Sequence, residues 1–190
     1  IIRGKLMGKY YKKMFWGYLL IFLHFNIPMG YKSIDILPDF IGYIMIGLAL
    51  TKLAIKEKIF KKGVNASYIL AAVGIFNIGI SAEAITRYSF VINIFSAIVG
   101  LFVTYSICKG IENEGIKYNK EDLSNKAKAL WELEFIRTML YIAITSIMIN
   151  FNEGAIILTA NGLLLMFSIF TSVMLLMLLR LAGGEFNEVN

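Results

Sequence analysis

The chain has 190 residues, 58% of them hydrophobic and 17% charged, with a formal net charge of +6 and a mean hydropathy of +0.69. A soluble domain is roughly 45–50% apolar and about 25% charged, so this composition excludes an ordinary soluble fold and points to a membrane protein. The basic residues fall between oily runs rather than on one face, which argues against a nucleic-acid partner, and a single cysteine, Cys108, excludes an internal disulfide.

A helix needs roughly 20 apolar residues to cross the hydrocarbon core. Six stretches are candidates: residues 14–27, 37–55, 64–81, 88–108, 135–149 and 155–181. The expected fold is therefore an all-α polytopic bundle of six transmembrane helices in one domain. The first and fifth stretches are short and lean on flanks that include Trp16 and Trp131. The sixth is too long for one straight span, and Thr159-Ala160-Asn161-Gly162 is where a bend is expected.

Direction follows from charge. Arg3, Lys5, Lys9, Lys12 and Lys13 precede the first span; Lys52, Lys56, Lys58, Lys61 and Lys62 follow the second; Lys109, Lys117, Lys120, Lys126 and Lys128 follow the fourth; Arg180 ends the sixth. These alternate loops hold 16 of the 19 basic residues. By the positive-inside rule both termini are cytoplasmic, in the cell membrane.

Between the first two spans stands Ile34-Asp35-Ile36-Leu37-Pro38-Asp39. The first N–H groups of a helix lack partners, so proline is tolerated there and acids are favoured. Asp35 reads as the N-cap of the second span, with Asp39 one turn further on. His24 lies one turn before the outer end of the first span, where an ionisable group points to function. Together with Asn26, Asp39, Asp35 and Glu83 it outlines a candidate ligand-binding rim of negative potential, suited to a cation or a cationic peptide. Acids without a second histidine or cysteine give poor transition-metal specificity, so no metal is expected. No cofactor or catalytic signature is present (no HExxH, GxSxG or P-loop).

Ser96, Gly100 and Thr104 recur every fourth residue and read as a close helix-packing face, within the chain or between copies. Residues 119–133 turn amphipathic and read as a cytoplasmic helix at the interface, feeding the fifth span. Glu134 and Arg137, three apart, are placed to pair as Arg137 snorkels. No polar pathway through the middle of the spans is apparent.

Phe15-Trp16-Gly17, Phe25-Asn26-Ile27 and above all Asp35-Ile36-Leu37-Pro38-Asp39-Phe40-Ile41-Gly42-Tyr43-Ile44 resemble a group of small, uncharacterised multi-pass membrane proteins of Gram-positive bacteria that share an LPDFIGY-type motif. The resemblance covers about the first 55 residues and implies the bacterial inner membrane; it brings no activity and no functional residues.

Three functions are compatible with these residues. One is transport or ligand binding at an outward-facing acidic site. Another is interaction, regulation or immunity through a second membrane protein or a homo-oligomer. The third is intramembrane catalysis. A cavity reaching mid-membrane favours the first and a sealed bundle the second. The topology predicts that cysteines placed at Ser33 and Ala84 react with an impermeant thiol reagent in intact cells while one at Lys61 does not. Reaction at position 61 overturns it.

Overall fold

The computed structural model describes the backbone of residues 2–23, 26–29, 32–35, 39–79, 82–148 and 154–187, with side chains over 7–23, 39–76, 90–147 and 158–187. The apolar runs form six helices: α1 (Ile2–Leu23), α2 (Asp39–Leu53), α3 (Phe60–Gly79), α4 (Ala82–Lys117), α5 (Glu121–Met148) and α6 (Gly154–Glu185). A two-stranded antiparallel hairpin, β1 (Asn26–Met29) and β2 (Lys32–Asp35), separates α1 from α2 and sets Asn26 opposite Asp35.

The helix count matches the expectation, but several boundaries do not. Asn26 and Ile27, expected to end the first span, belong to β1. Asp35 is the last residue of β2 rather than a helix N-cap; Asp39 is the acid in the first turn of α2, facing the positive end of its dipole. At 15 residues α2 is about 22 Å long. Residues 119–133 do not form a separate interfacial helix, because α5 runs unbroken from Glu121 to Met148. Its Leu123, Ala127 and Leu130 form one buried stripe against the bundle. Glu, Lys, Ala and Leu are strong helix formers, so charge ends an apolar run without ending a helix. For the same reason α4 continues to Lys117. It stops where Asn119 takes φ 55° and Lys120 N–H donates to the Gly115 carbonyl, an αL cap for which asparagine is suited. The expected bend at residues 159–162 does not break α6, which is helical throughout.

Each helix packs on its neighbours in sequence, and α1 packs on α6, closing a ring of six. The neighbours run antiparallel: Gly47 faces Tyr68, Gly63 faces Ser106, and Gly183 faces Lys12. One end of the ring, the base, therefore gathers the start of α1, the end of α6 and the α2–α3 and α4–α5 connections. Large buried side chains concentrate there, among them Met7, Tyr11, Leu53, Phe60, Ile111, Leu130 and Phe186. Ser106 Oγ donates to the Ile59 carbonyl at 2.8 Å, tying the α2–α3 connection to α4. Cys108 is buried in the same core, as a small apolar residue would be. The opposite end, the top, displays Phe76, Val91, Phe95, Ile147, Leu158, Leu163 and Met166.

Among the described residues two segments are long and apolar enough to cross a membrane: Phe90–Lys117, mean hydropathy 2.1, and Leu158–Glu185, mean hydropathy 2.4. Only 28% and 22% of their most apolar windows are buried. A core helix of a water-soluble protein is mostly buried, so these two helices could cross a membrane.

Glycines face each other between α1 and α2. A Cβ on Gly17 would stand 2.8 Å from the Gly42 carbonyl oxygen, and one on Gly42 would stand 2.5 Å from that of Gly17. Backbone meets backbone there, as small residues permit between helices. Gly42→Ala is expected to lower stability by about 1–3 kcal/mol, the usual range for overpacking. Gly162, which faces open space, should gain up to about 1 kcal/mol as alanine through helix propensity. Thermal unfolding in detergent checks both; equal effects would show that the seam is looser than described.

Candidate functional site

The five rim residues expected from sequence are not assembled into one described site. His24 lies outside the described residues, and the side chains of Asn26, Asp35 and Glu83 also lie outside them. The hairpin register does bring the backbones of Asn26 and Asp35 face to face. Asp39 opens α2 one turn above Tyr43, on the same face. Among the described residues no group of three or more His, Cys, Asp or Glu is placed to hold a metal.

A different site is present. The upper half of the ring holds an open cavity of about 300 Å³, lined by Tyr18 of α1, Tyr43 of α2, Asn93, Ser96, Ala97, Gly100 and Thr104 of α4, Glu134, Arg137 and Tyr141 of α5, and Ser172 and Leu175 of α6. Five of the six helices contribute. This size lies at the small end of ligand pockets, roughly 300–1,000 Å³.

The seam between α1 and α2 positions the first two residues. Gly17 and Gly42 are each followed by a tyrosine, and with the glycines on the seam, Tyr18 and Tyr43 turn into the ring. The Tyr18 hydroxyl then reaches across to α4, where it shares a hydrogen bond of 3.0 Å with Thr104 Oγ1. Ser96, Gly100 and Thr104, read from the sequence as a packing face, line the α4 wall of the cavity. A Cβ on Gly100 would meet nothing within 4 Å, so no described helix approaches closely there.

On α5 the predicted pair is formed. Arg137 donates from Nε at 3.0 Å and from a terminal nitrogen at 2.7 Å, both to Glu134 Oε2. Both partners line the cavity, and the Glu134 side chain is only 6% exposed. Arg137 thus turns inward to its partner rather than out along a lipid-facing surface. Below the pair, Trp131 packs edge-on against Tyr105 of α4 at 4.7 Å and contacts Phe135 at 5.8 Å, fixing α5 against α4. The Thr138 hydroxyl donates to the Glu134 carbonyl, so that buried group is satisfied within its own helix.

These groups were hard to find in sequence because each helix contributes only one to five of them. One signal was available: Phe15-Trp16-Gly17-Tyr18 and Phe40-Ile41-Gly42-Tyr43 share the pattern Phe-x-Gly-Tyr. In each, the glycine meets the opposite helix and the tyrosine enters the cavity. The chain matches no protein-family model, no curated protein and no solved structure. The site must therefore be read from its own geometry.

A second polar place lies at the base. Both carboxylate oxygens of Glu114 and the hydroxyl of Tyr11 are buried without a hydrogen-bond partner among the described residues. Glu114 stands beyond Cys108, where the apolar run of α4 has ended. Burial pushes its carboxyl above the ordinary value of 4.5, and Glu57 adds to this while Lys117 and Lys56 oppose it. Burial, and next the nearby Glu114, likewise raises the Tyr11 phenol. A carboxyl with a raised folded pKa contributes stability below its ordinary pKa and loses it as pH rises through the folded value. Glu114→Gln should therefore leave Tm unchanged near pH 4.5 and raise it at about pH 8. A Tm gain independent of pH would show that Glu114 is charged throughout.

Proposed function

We propose that the chain is a six-span membrane protein of the bacterial inner membrane, both termini cytoplasmic, that binds a small polar molecule in the ring cavity, entered from the outer side. The single observation that supports this most is the cavity itself, with an ion pair and hydroxyls from several helices turned into it. The base of the ring carries 16 of the 19 basic residues, which favours the cytoplasm at that end. The two long apolar helices with largely exposed surfaces support a lipid surrounding.

In that setting the lining of α4, from Asn93 to Thr104, runs along the apolar stretch over about 16 Å. Arg137 stands near the start of the proposed fifth span, 135–149, where a charge costs less than the about 2.5–3.5 kcal/mol of a helix centre, and ionisable groups inside a span mark pathways and binding sites. Burying Glu134 with Arg137 offsets part of that cost. The pair still gives no structural advantage over apolar residues of the same size, which would pack equally well. A ligand supplies the reason to keep it.

Gly100→Leu tests the reading. The new side chain enters open space, so the fold should survive within about 1–3 kcal/mol, the usual range for added volume, while the cavity fills. Native mass spectrometry of the parent protein is expected to show a small molecule that is lost from Gly100→Leu. Retention of the same molecule by the variant rules the cavity out as its site.

A further inference from the structure

We infer that the cavity receives a zwitterion, a ligand carrying an ammonium and an acidic anion a few ångströms apart. The inference rests on the binding reading above and names the ligand class for that same site. It follows from how the Glu134–Arg137 pair is made.

Both Arg137 bonds end on one oxygen, Glu134 Oε2. A carboxylate has acceptor positions on both oxygens, and a guanidinium has five N–H donors. The pair therefore leaves Glu134 Oε1 and three Arg137 N–H groups with no hydrogen bond among the described residues. Both side chains line the cavity. The cavity thus presents an unused anionic acceptor beside unused cationic donors, held in fixed relation because both belong to one helix and stand three residues apart.

Charge balance narrows the class. The resident pair is neutral, and among the described residues no other charged side chain lines the cavity. A ligand with a single charge would satisfy one pole and face the other in a medium of low dielectric, where like charges repel strongly. An uncharged ligand would fill the hydrogen bonds without using the field. A zwitterion meets both poles at once: its anion takes the free guanidinium N–H groups, a bidentate geometry for which arginine is suited, and its ammonium reaches Oε1. The tyrosines supply rings against which an apolar or cationic part of the ligand can rest. A free α-amino acid and the head group of phosphatidylethanolamine carry the same two charges, so either source fits the chemistry.

Four compounds that share a side chain separate the charges: leucine, leucine methyl ester (cation), N-acetyl-leucine (anion) and N-acetyl-leucinamide (neutral). Binding is followed by scanning fluorimetry and calorimetry on the full chain in nanodiscs of phosphatidylglycerol, with a parallel preparation containing phosphatidylethanolamine examined by native mass spectrometry. If the inference holds, either leucine binds at least tenfold tighter than the other three, or phosphatidylethanolamine stays bound to the protein after lipid is stripped away. The first result assigns a free zwitterion and the second a lipid head group. In either case the double variant Glu134→Gln with Arg137→Gln, which keeps a neutral hydrogen-bonding pair and so leaves no lone buried charge, should lose the preference. Two results overturn the zwitterion while sparing the cavity. One is binding of the ester, the acetylated acid or the amide as tightly as leucine, with loss in Gly100→Leu. The other is a zwitterion preference unchanged in the double variant. If no compound and no lipid distinguishes the parent from Gly100→Leu, the inference and the binding reading fall together.

Discussion

Where α1 crosses α2, backbone stands against backbone, with Ile21 and Ile46 closing the flanks. Gly17 and Gly42 place carbonyl against Cα at a separation that even a methyl group would disturb, and much of the upper ring follows from that contact. The residues that follow, Tyr18 and Tyr43, turn toward the ring interior. Tyr18 is long enough to bridge to Thr104 on the far side. That hydrogen bond sets how far α1 stands from α4. The space beside it is left unfilled because α4 presents Ser96 and Gly100 there rather than larger side chains. The cavity is thus a result of small residues on one wall and tyrosines on two others.

The ring is unequal from end to end. At the base, buried methionine, leucine, isoleucine and aromatic side chains from every helix interlock, and Phe186 packs tilted on Tyr11 and edge-on to Tyr118 where α1 meets the ends of α4 and α6. Such packing is dense and resists rearrangement. Toward the top, among the described residues, α6 exposes Leu163, Leu165, Met166 and Phe170 around much of its circumference.

Much of this was legible in the residues alone, and the parts that were not share a cause. Apolar runs located six helices because the energy of burying or solvating a whole run is large. The same reading misjudged the ends of α4 and α5. It ends the fourth helix before Glu112 and Lys117 and reads residues 119–133 as a separate helix, whereas the backbone carries these charges as good helical residues of α4 and α5. The hairpin at Asn26–Asp35 was missed because four-residue strands carry too short a pattern to separate from a helix end. The Glu134–Arg137 pair was found, since spacing within one helix is visible in sequence. Tyr43, Asn93, Tyr141 and Ser172 were not, because what unites them is the closure of the ring, a relation between distant segments. The stripe at Ser96, Gly100 and Thr104 shows the limit most clearly. Smallness permits close approach and equally permits empty space, and only the neighbouring helices decide which.

The pairing of Glu134 with a residue on its own helix bears on how the protein is made. Helices emerge from the ribosome in order, and α6, which completes the cavity wall with Ser172 and Leu175, comes last. On the proposed placement in a bilayer, a counter-ion on α6 or α1 would require α5 to enter lipid bearing an unbalanced charge and wait for its partner. With the carboxylate three residues away, neutralisation is complete once a single turn has formed. On that proposal α5 enters as an electrically silent rod, and assembly of the ring need only bring shapes together.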